Sequence, residues 1–178
     1  MSDWRGDVLK YWFGLDPERW WRAGGETDQE IRRRFLQLWS DKRELPVRAF
    51  LDHPLTALAG VILFDQFPRN MFRGHADQFA TDHLARGIAR GAVDRKFDDE
   101  LTPTERGFLY MPFERSEDRA DQRRSLLLFT ALGDDYLLGY AKKHHDVIER
   151  FGRFPHRNAI LGRTPRADEI NAGDVFPW

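Results

Sequence analysis

Three observations predict an all-α fold of about eight helices in antiparallel pairs. Helix start and stop signals recur along the chain, and apolar residues return with the 3.6-residue period of a helix. No Asn-Gly or Asp-Gly pair joins alternating apolar runs as a hairpin turn would.

Taken in order, Thr27 with Glu30 reads as a capping box. The helix it opens carries Ile31, Phe35, Leu38 and Trp39 on one stripe and is expected to run to about Glu44. His53-Pro54 starts an apolar run through Phe64. Pro68 forces the residue before it out of helical geometry, so this helix is expected to stop at Gln66 or Phe67. Phe79, Leu84 and Ile88 mark a helix closing at Gly91. Thr102, Pro103 and Glu105 combine a cap, a proline at the first helical position and a capping box, starting a short helix to Tyr110 that Pro112 ends. Ser116, followed by Glu117 and Asp118, opens a helix through Leu132, closed by Gly133. The next runs over residues 135–151 and is closed by Gly152. Thr164-Pro165 announces a last short helix through Ile170, before Gly173 and the tail Phe176-Pro177-Trp178.

Size and composition narrow the function. The 178 residues fit one domain, residues 1–178, with no linker. Basic residues number 28 against 29 acidic, so the net charge of -1 exerts no global attraction on nucleic acid or an anionic membrane, and neither is an expected partner. The cysteine count is 0, which removes disulfides, thiolate metal sites and thiol catalysis and suits a reducing compartment; the expected location is the cytoplasm. The first ten residues carry Asp3, Trp4, Arg5 and Asp7 where a signal peptide needs an apolar stretch, and the apolar run of residues 55–64 is about half a membrane span.

Candidate chemistry gathers in two turns that echo each other. Phe67-Pro68-Arg69-Asn70 with Arg73 resembles Phe154-Pro155-His156-Arg157-Asn158 with Arg163, each after an expected helix end. Asp65, at the end of an apolar helix where the macrodipole disfavours a carboxylate, needs a partner such as Arg69 or Arg73. Residues 150–166 contain five arginines, one histidine and no acid, so Arg153, Arg157 and Arg163 are candidates for a phosphate, a carboxylate or a nucleic-acid backbone. They are equally candidates for neutralising Glu114, Glu117 and Asp118. The Ser116-Glu117-Asp118 string is what a helix N-terminus prefers and also a carboxylate pair able to move protons. His144 and His145 are adjacent on a helix and point about 100 degrees apart, so they cannot chelate one metal together. No metal and no cofactor is expected, and the absence of glycine-rich phosphate loops and nucleophile elbows weighs against nucleotide hydrolysis and serine esterase chemistry.

The same residues carry a family resemblance. Tyr11-Trp12-Phe13-Gly14, Phe64-Asp65-Gln66-Phe67-Pro68-Arg69-Asn70-Met71-Phe72-Arg73, Tyr110-Met111-Pro112 with Ser116-Glu117-Asp118 and Gln122, and Arg150-Phe151-Gly152-Arg153-Phe154-Pro155-His156-Arg157-Asn158 resemble the bacterial family called domain of unknown function 924, over nearly the whole chain. The resemblance implies an all-helical fold similar to the tetratricopeptide-repeat superfamily, with stacked helix pairs, and implies no known reaction. Members of that family usually carry histidine just before Ser-Glu-Asp, where this chain has Arg115, and a serine-threonine pair where this chain reads Thr164-Pro165-Arg166. Arginine neither binds a metal nor shuttles a proton at neutral pH, which weighs against an enzyme.

Three functional readings follow. One is a binding module with an arginine-lined cleft for a small anionic ligand or acidic peptide, built from Arg69, Asn70, Arg73, Arg153, His156, Arg157, Asn158 and Arg163. Another is a structural or assembly protein whose signature charges form an internal ionic network, with Asp65, Glu114, Glu117 and Asp118 as partners. The third is a metal-independent enzyme using Glu117 or Asp118 with His144 as acid and base. Accessible, converging arginines favour the first; fully paired, buried ones favour the second.

Overall fold

A computed structural model describes residues 3–178; Met1 and Ser2, the first two residues of the expected domain, lie outside the described residues. It is all-α, with no strand among the described residues. The chain divides into two compact units, unit 1 ending at Leu109 and unit 2 spanning Tyr110–Trp178.

In unit 1, α1 (Trp4–Phe13) starts because the Asp3 side chain accepts the backbone N–H of Arg5. A short α2 (Glu18–Trp21) leads to α3 (Glu26–Lys42), and α4 (Pro54–Val61) continues through a π-helical turn (Ile62–Gln66) into α5 (Phe67–Met71). Then comes α6 (Asp82–Asp94), and α7 (Pro103–Glu114) begins in this unit and ends in the next. Helix α3 packs on α5, α4 on α6, and α1 on α4. Their apolar faces bury Val8, Trp12, Ile31, Phe35, Leu58, Phe67 and Ile88. Trp12 meets both Phe67 and Phe108 edge to face.

Unit 2 is led by α8 (Arg119–Leu132) and α9 (Asp135–Phe151), which pack on each other as an antiparallel hairpin. Two residues suffice for the turn: Gly133 takes the left-handed conformation, φ 78°, and Asp134 caps α9 by accepting from Leu137 N–H. Gly152, φ 73°, closes α9 as the sequence predicts. Short α10 (Asn158–Leu161) and α11 (Ala167–Ala172) follow, with Val147, Ile148, Phe151 and Phe154 as a core under Ala172 and Val175.

Several helix ends differ from the sequence reading. The Thr27–Glu30 capping box does not form: α3 is capped at Gly25, two residues before Thr27, and buried Thr27 instead accepts from Arg19 Nε at 3.0 Å. The helix expected to stop before Pro68 passes through it. A widened turn, with Phe67 N–H bonded back to Ile62 O, makes room for the ring. Pro68 has no N–H for the carbonyl of Phe64, four residues back; the Thr81 hydroxyl donates to that carbonyl at 2.8 Å, and Trp39 Nε1 donates to Thr81 Oγ1 at 3.1 Å. Gly91 does not close α6, which runs on to Asp94. A Cβ on Gly91 would stand 2.5 Å from Leu51 Cδ1, so this glycine serves close packing and not a cap. Pro112 likewise lies inside α7, in its last turn, where it forfeits a single ladder bond while the continued turn buries Phe113. The Thr102–Glu105 capping box forms as expected, in both directions. In α8 the cap is Asp118 and not Ser116, and in α11 the chain enters at Arg166, later than Thr164.

The Thr81 relay yields a stability prediction. Thr81→Val leaves the buried Phe64 carbonyl and the Trp39 indole N–H without their shared partner and is expected to cost about 2–4 kcal/mol. Thr81→Ser should keep most of the stability in thermal or urea unfolding; a valine variant as stable as wild type would refute the relay.

Candidate functional site

The two echoed turns belong to different units and are described in turn. In unit 1 the turn around Pro68 projects Arg69, Asn70 and Arg73 from the end of α5. Arg69 forms a bidentate pair with Asp82, the first residue of α6, Nη1 to Oδ1 at 2.7 Å and Nη2 to Oδ2 at 2.9 Å. Its Nη1 also donates to Asp65 O at 2.9 Å and lies 3.8 Å from Asp65 Oδ1. The expected Asp65 partner is thus Arg69, but Asp82 holds the stronger contact, and Gln66 Nε2 donates to Asp65 Oδ2 at 3.1 Å. Burial opposes the Arg69 charge, yet Asp82 and Asp65 outweigh it and hold the guanidinium protonated beyond the usual arginine range. Arg73 turns to Asp28 of α3, Nε to Oδ2 at 2.7 Å and Nη2 to Oδ1 at 3.0 Å, and Asn70 Nδ2 joins it on Oδ1 at 2.8 Å.

Unit 2 repeats this arrangement. Arg153 forms a bidentate pair with Glu169 of α11, Nε to Oε1 at 2.6 Å and Nη2 to Oε2 at 2.9 Å. Asn158 Nδ2 and the Arg166 N–H also donate to Glu169 Oε2, at 2.8 and 3.0 Å. Because α8 starts at Arg119, Glu117 lies outside the helix. It accepts Arg163 Nη1 at 2.9 Å and the Phe154 N–H at 2.8 Å. Arg163 Nε donates to Asn158 Oδ1, and its Nη2 to Phe154 O. Arg157 is buried with Nη1 3.9 Å from Glu117 Oε1, Nη2 on Arg115 O at 3.0 Å and its guanidinium over the Phe154 ring.

The remaining candidates separate. Asp118 caps α8 by accepting the Asp121 N–H, while buried Ser116 donates to Asp121 Oδ2 at 2.7 Å. The His156 ring sits among Phe154, Phe176 and Trp178. The carboxylate beside His144 is Glu114, not Glu117 or Asp118: His144 Nδ1 lies 3.0 Å from Glu114 Oε1 and 2.8 Å from Tyr140 O. Both partners are acceptors, so Nδ1 carries the proton and Nε2 is the basic nitrogen of the neutral ring. Among the described residues no group of three or more His, Asp or Glu side chains converges to hold a metal ion.

Sequence reasoning found the arginines and asparagines but missed Asp28, Asp82 and Glu169. Each lies in the first turn of its helix, where an acid is favoured by the macrodipole alone, so nothing in the sequence distinguishes it.

These paired, signature-bearing turns within an all-helical chain match one family model over residues 8–172, and the chain belongs to that family, the bacterial proteins of unknown function designated DUF924. It is similar to a solved structure, the protein of unknown function ATU0120 from Agrobacterium tumefaciens. The two share 38% identity and a TM-score of 0.86, with 94% of this chain and 95% of that one covered. No curated protein matches the chain.

The Glu169 cluster predicts an acid response. The Arg153 hydrogen bond outweighs burial and, with the Arg166 N–H and the Asn158 amide, draws the Glu169 carboxyl down from its ordinary 4.5 to about 2. A folded-state value below the unfolded one stabilises the protein above pH 4.5, and the contribution drains away as pH falls toward 2. The melting-temperature gap between wild type and Glu169→Gln should therefore be widest above pH 5 and close through this window. A gap independent of pH would contradict the assignment.

Proposed function

We propose that this protein is a non-catalytic helical binding module of the tetratricopeptide-repeat-like kind, acting in the cytoplasm, whose signature charges form an internal ionic framework and do not line a ligand cleft. The observation that carries this reading is the pairing itself. Arg69, Arg73, Arg153 and Arg163 are each already on a carboxylate, and Arg157 keeps only 8% of its side-chain surface exposed. An anion reaching them would have to displace a carboxylate already held by two or more donors.

Support for a repeat-like module comes from the α8–α9 hairpin, the antiparallel pair that such arrays stack. No helix among the described residues is long and apolar enough to cross a membrane, and the absence of cysteine suits a reducing compartment. The partner class remains a small anionic ligand or an acidic peptide, met away from the framework arginines.

The test compares the two sides of one pair. Arg163→Gln and Glu117→Gln are both expected to lower stability, by roughly 1–3 kcal/mol, because each strands the partner's charge-assisted bonds. Phosphate at matched ionic strength should stabilise both variants and wild type alike. If Glu117→Gln instead melts at or above wild type and gains a selective response to phosphate, the arginines form an anion site and the framework reading fails.

A further inference from the structure

Away from the echoed turns, unit 1 contains a shallow cleft of about 410 Å³ whose walls include Lys10, Tyr11, Arg19, Glu30 and Arg34. Three cations face one carboxylate. The arginine chemistry here is unlike that of the framework. Arg19 is oriented through Nε by the buried Thr27 hydroxyl at 3.0 Å, and among the described residues no carboxylate takes its terminal nitrogens. Lys10 has no carboxylate within 4.0 Å among the described residues. Arg34 reaches Glu30 only at 3.5 Å and lies over the Tyr11 ring, 4.8 Å from its centroid.

A guanidinium held by a neutral hydroxyl, with its donor fork unspent, is suited to an external oxyanion, because nothing must be displaced to bind it. The Tyr11 hydroxyl adds a second unspent donor: it is buried and has no hydrogen-bond partner. Burial, followed by Glu30, raises its ionisation above the ordinary phenol value despite Arg19 and Arg34, so it stays protonated at neutral pH.

We infer that this cleft binds the carboxylate or phosphate group of a small molecule. Arg19 supplies the forked contact and Lys10 a point charge. Arg34 closes the site above the Tyr11 ring, and Glu30 accepts a hydroxyl or ammonium donor carried on the same molecule. The inference deepens the binding-module reading and rests on it.

Calorimetric titration with inorganic phosphate and with succinate, against chloride at matched ionic strength, tests it and tells the two oxyanions apart. The expected dissociation constant for the better anion is on the order of 1 mM. Arg19→Gln should weaken binding roughly tenfold, the equivalent of one lost charge-assisted contact. Lys10→Gln, at an exposed position in the last turn of α1, should weaken it in the same direction with little change in melting temperature, and Arg163→Gln should bind as wild type does. No selective binding of either anion, or binding unchanged in both Arg19→Gln and Lys10→Gln, overturns the cleft while the framework reading stands. Binding lost in folded Arg163→Gln but kept in Arg19→Gln overturns both.

Discussion

Arg69 brings a guanidinium into a site where its side chain keeps only 17% exposure, and the Asp82 carboxylate makes that burial tolerable. Stranding one partner of such a pair costs about 3–5 kcal/mol, so α6 cannot move away from the Pro68 turn without a large loss. The neighbouring residues lock the same joint. Pro68 leaves the Phe64 carbonyl without its ladder donor, and Thr81, one residue before Asp82, supplies one. Two consecutive residues of the first turn are therefore answered by two consecutive residues at the start of α6. A neutral hydrogen bond and a charged bidentate pair fix the same register.

The second unit uses the same device with different residues. Each echoed turn captures two carboxylates from other segments, Asp82 and Asp28 in unit 1, Glu169 and Glu117 in unit 2. In each, an asparagine shares one of those carboxylates with an arginine, Asn70 with Arg73 on Asp28 and Asn158 with Arg153 on Glu169. The geometry explains the residue types. Only arginine offers a planar fork that satisfies both carboxylate oxygens, and the amide fills a remaining lone pair without adding charge.

How far the sequence could be read follows from what each residue type reveals. The longer helices from α3 to α9 were legible, as were ends set by backbone chemistry alone, at Thr102, Gly133 and Gly152, whereas α1 and α2 were not anticipated. Ends were misread where glycine or proline served packing. Gly91 admits Leu51, Pro68 is kept within its helix where the Thr81 hydroxyl supplies the missing donor, and Pro112 where the continued turn buries Phe113. The arginines of the candidate site were legible as a cluster; their partners were not, since Asp28, Asp82 and Glu169 look like ordinary first-turn acids. The reactive-looking pair of His144 with Glu114 depends on α7 continuing through Pro112, a continuation the sequence argued against.

The proposed function divides between an ionic framework that holds turns to helices and surface chemistry that is left to meet a ligand. The most direct test of the framework is a double-mutant cycle on Arg69→Gln and Asp82→Asn, read by chemical unfolding. Each single change is expected to be costly, and the double variant to be more stable than the sum of the two by about 2 kcal/mol or more, because removing both charges strands neither. Additive effects, with a coupling below roughly 0.5 kcal/mol, would show that the pair is incidental and would contradict the central claim.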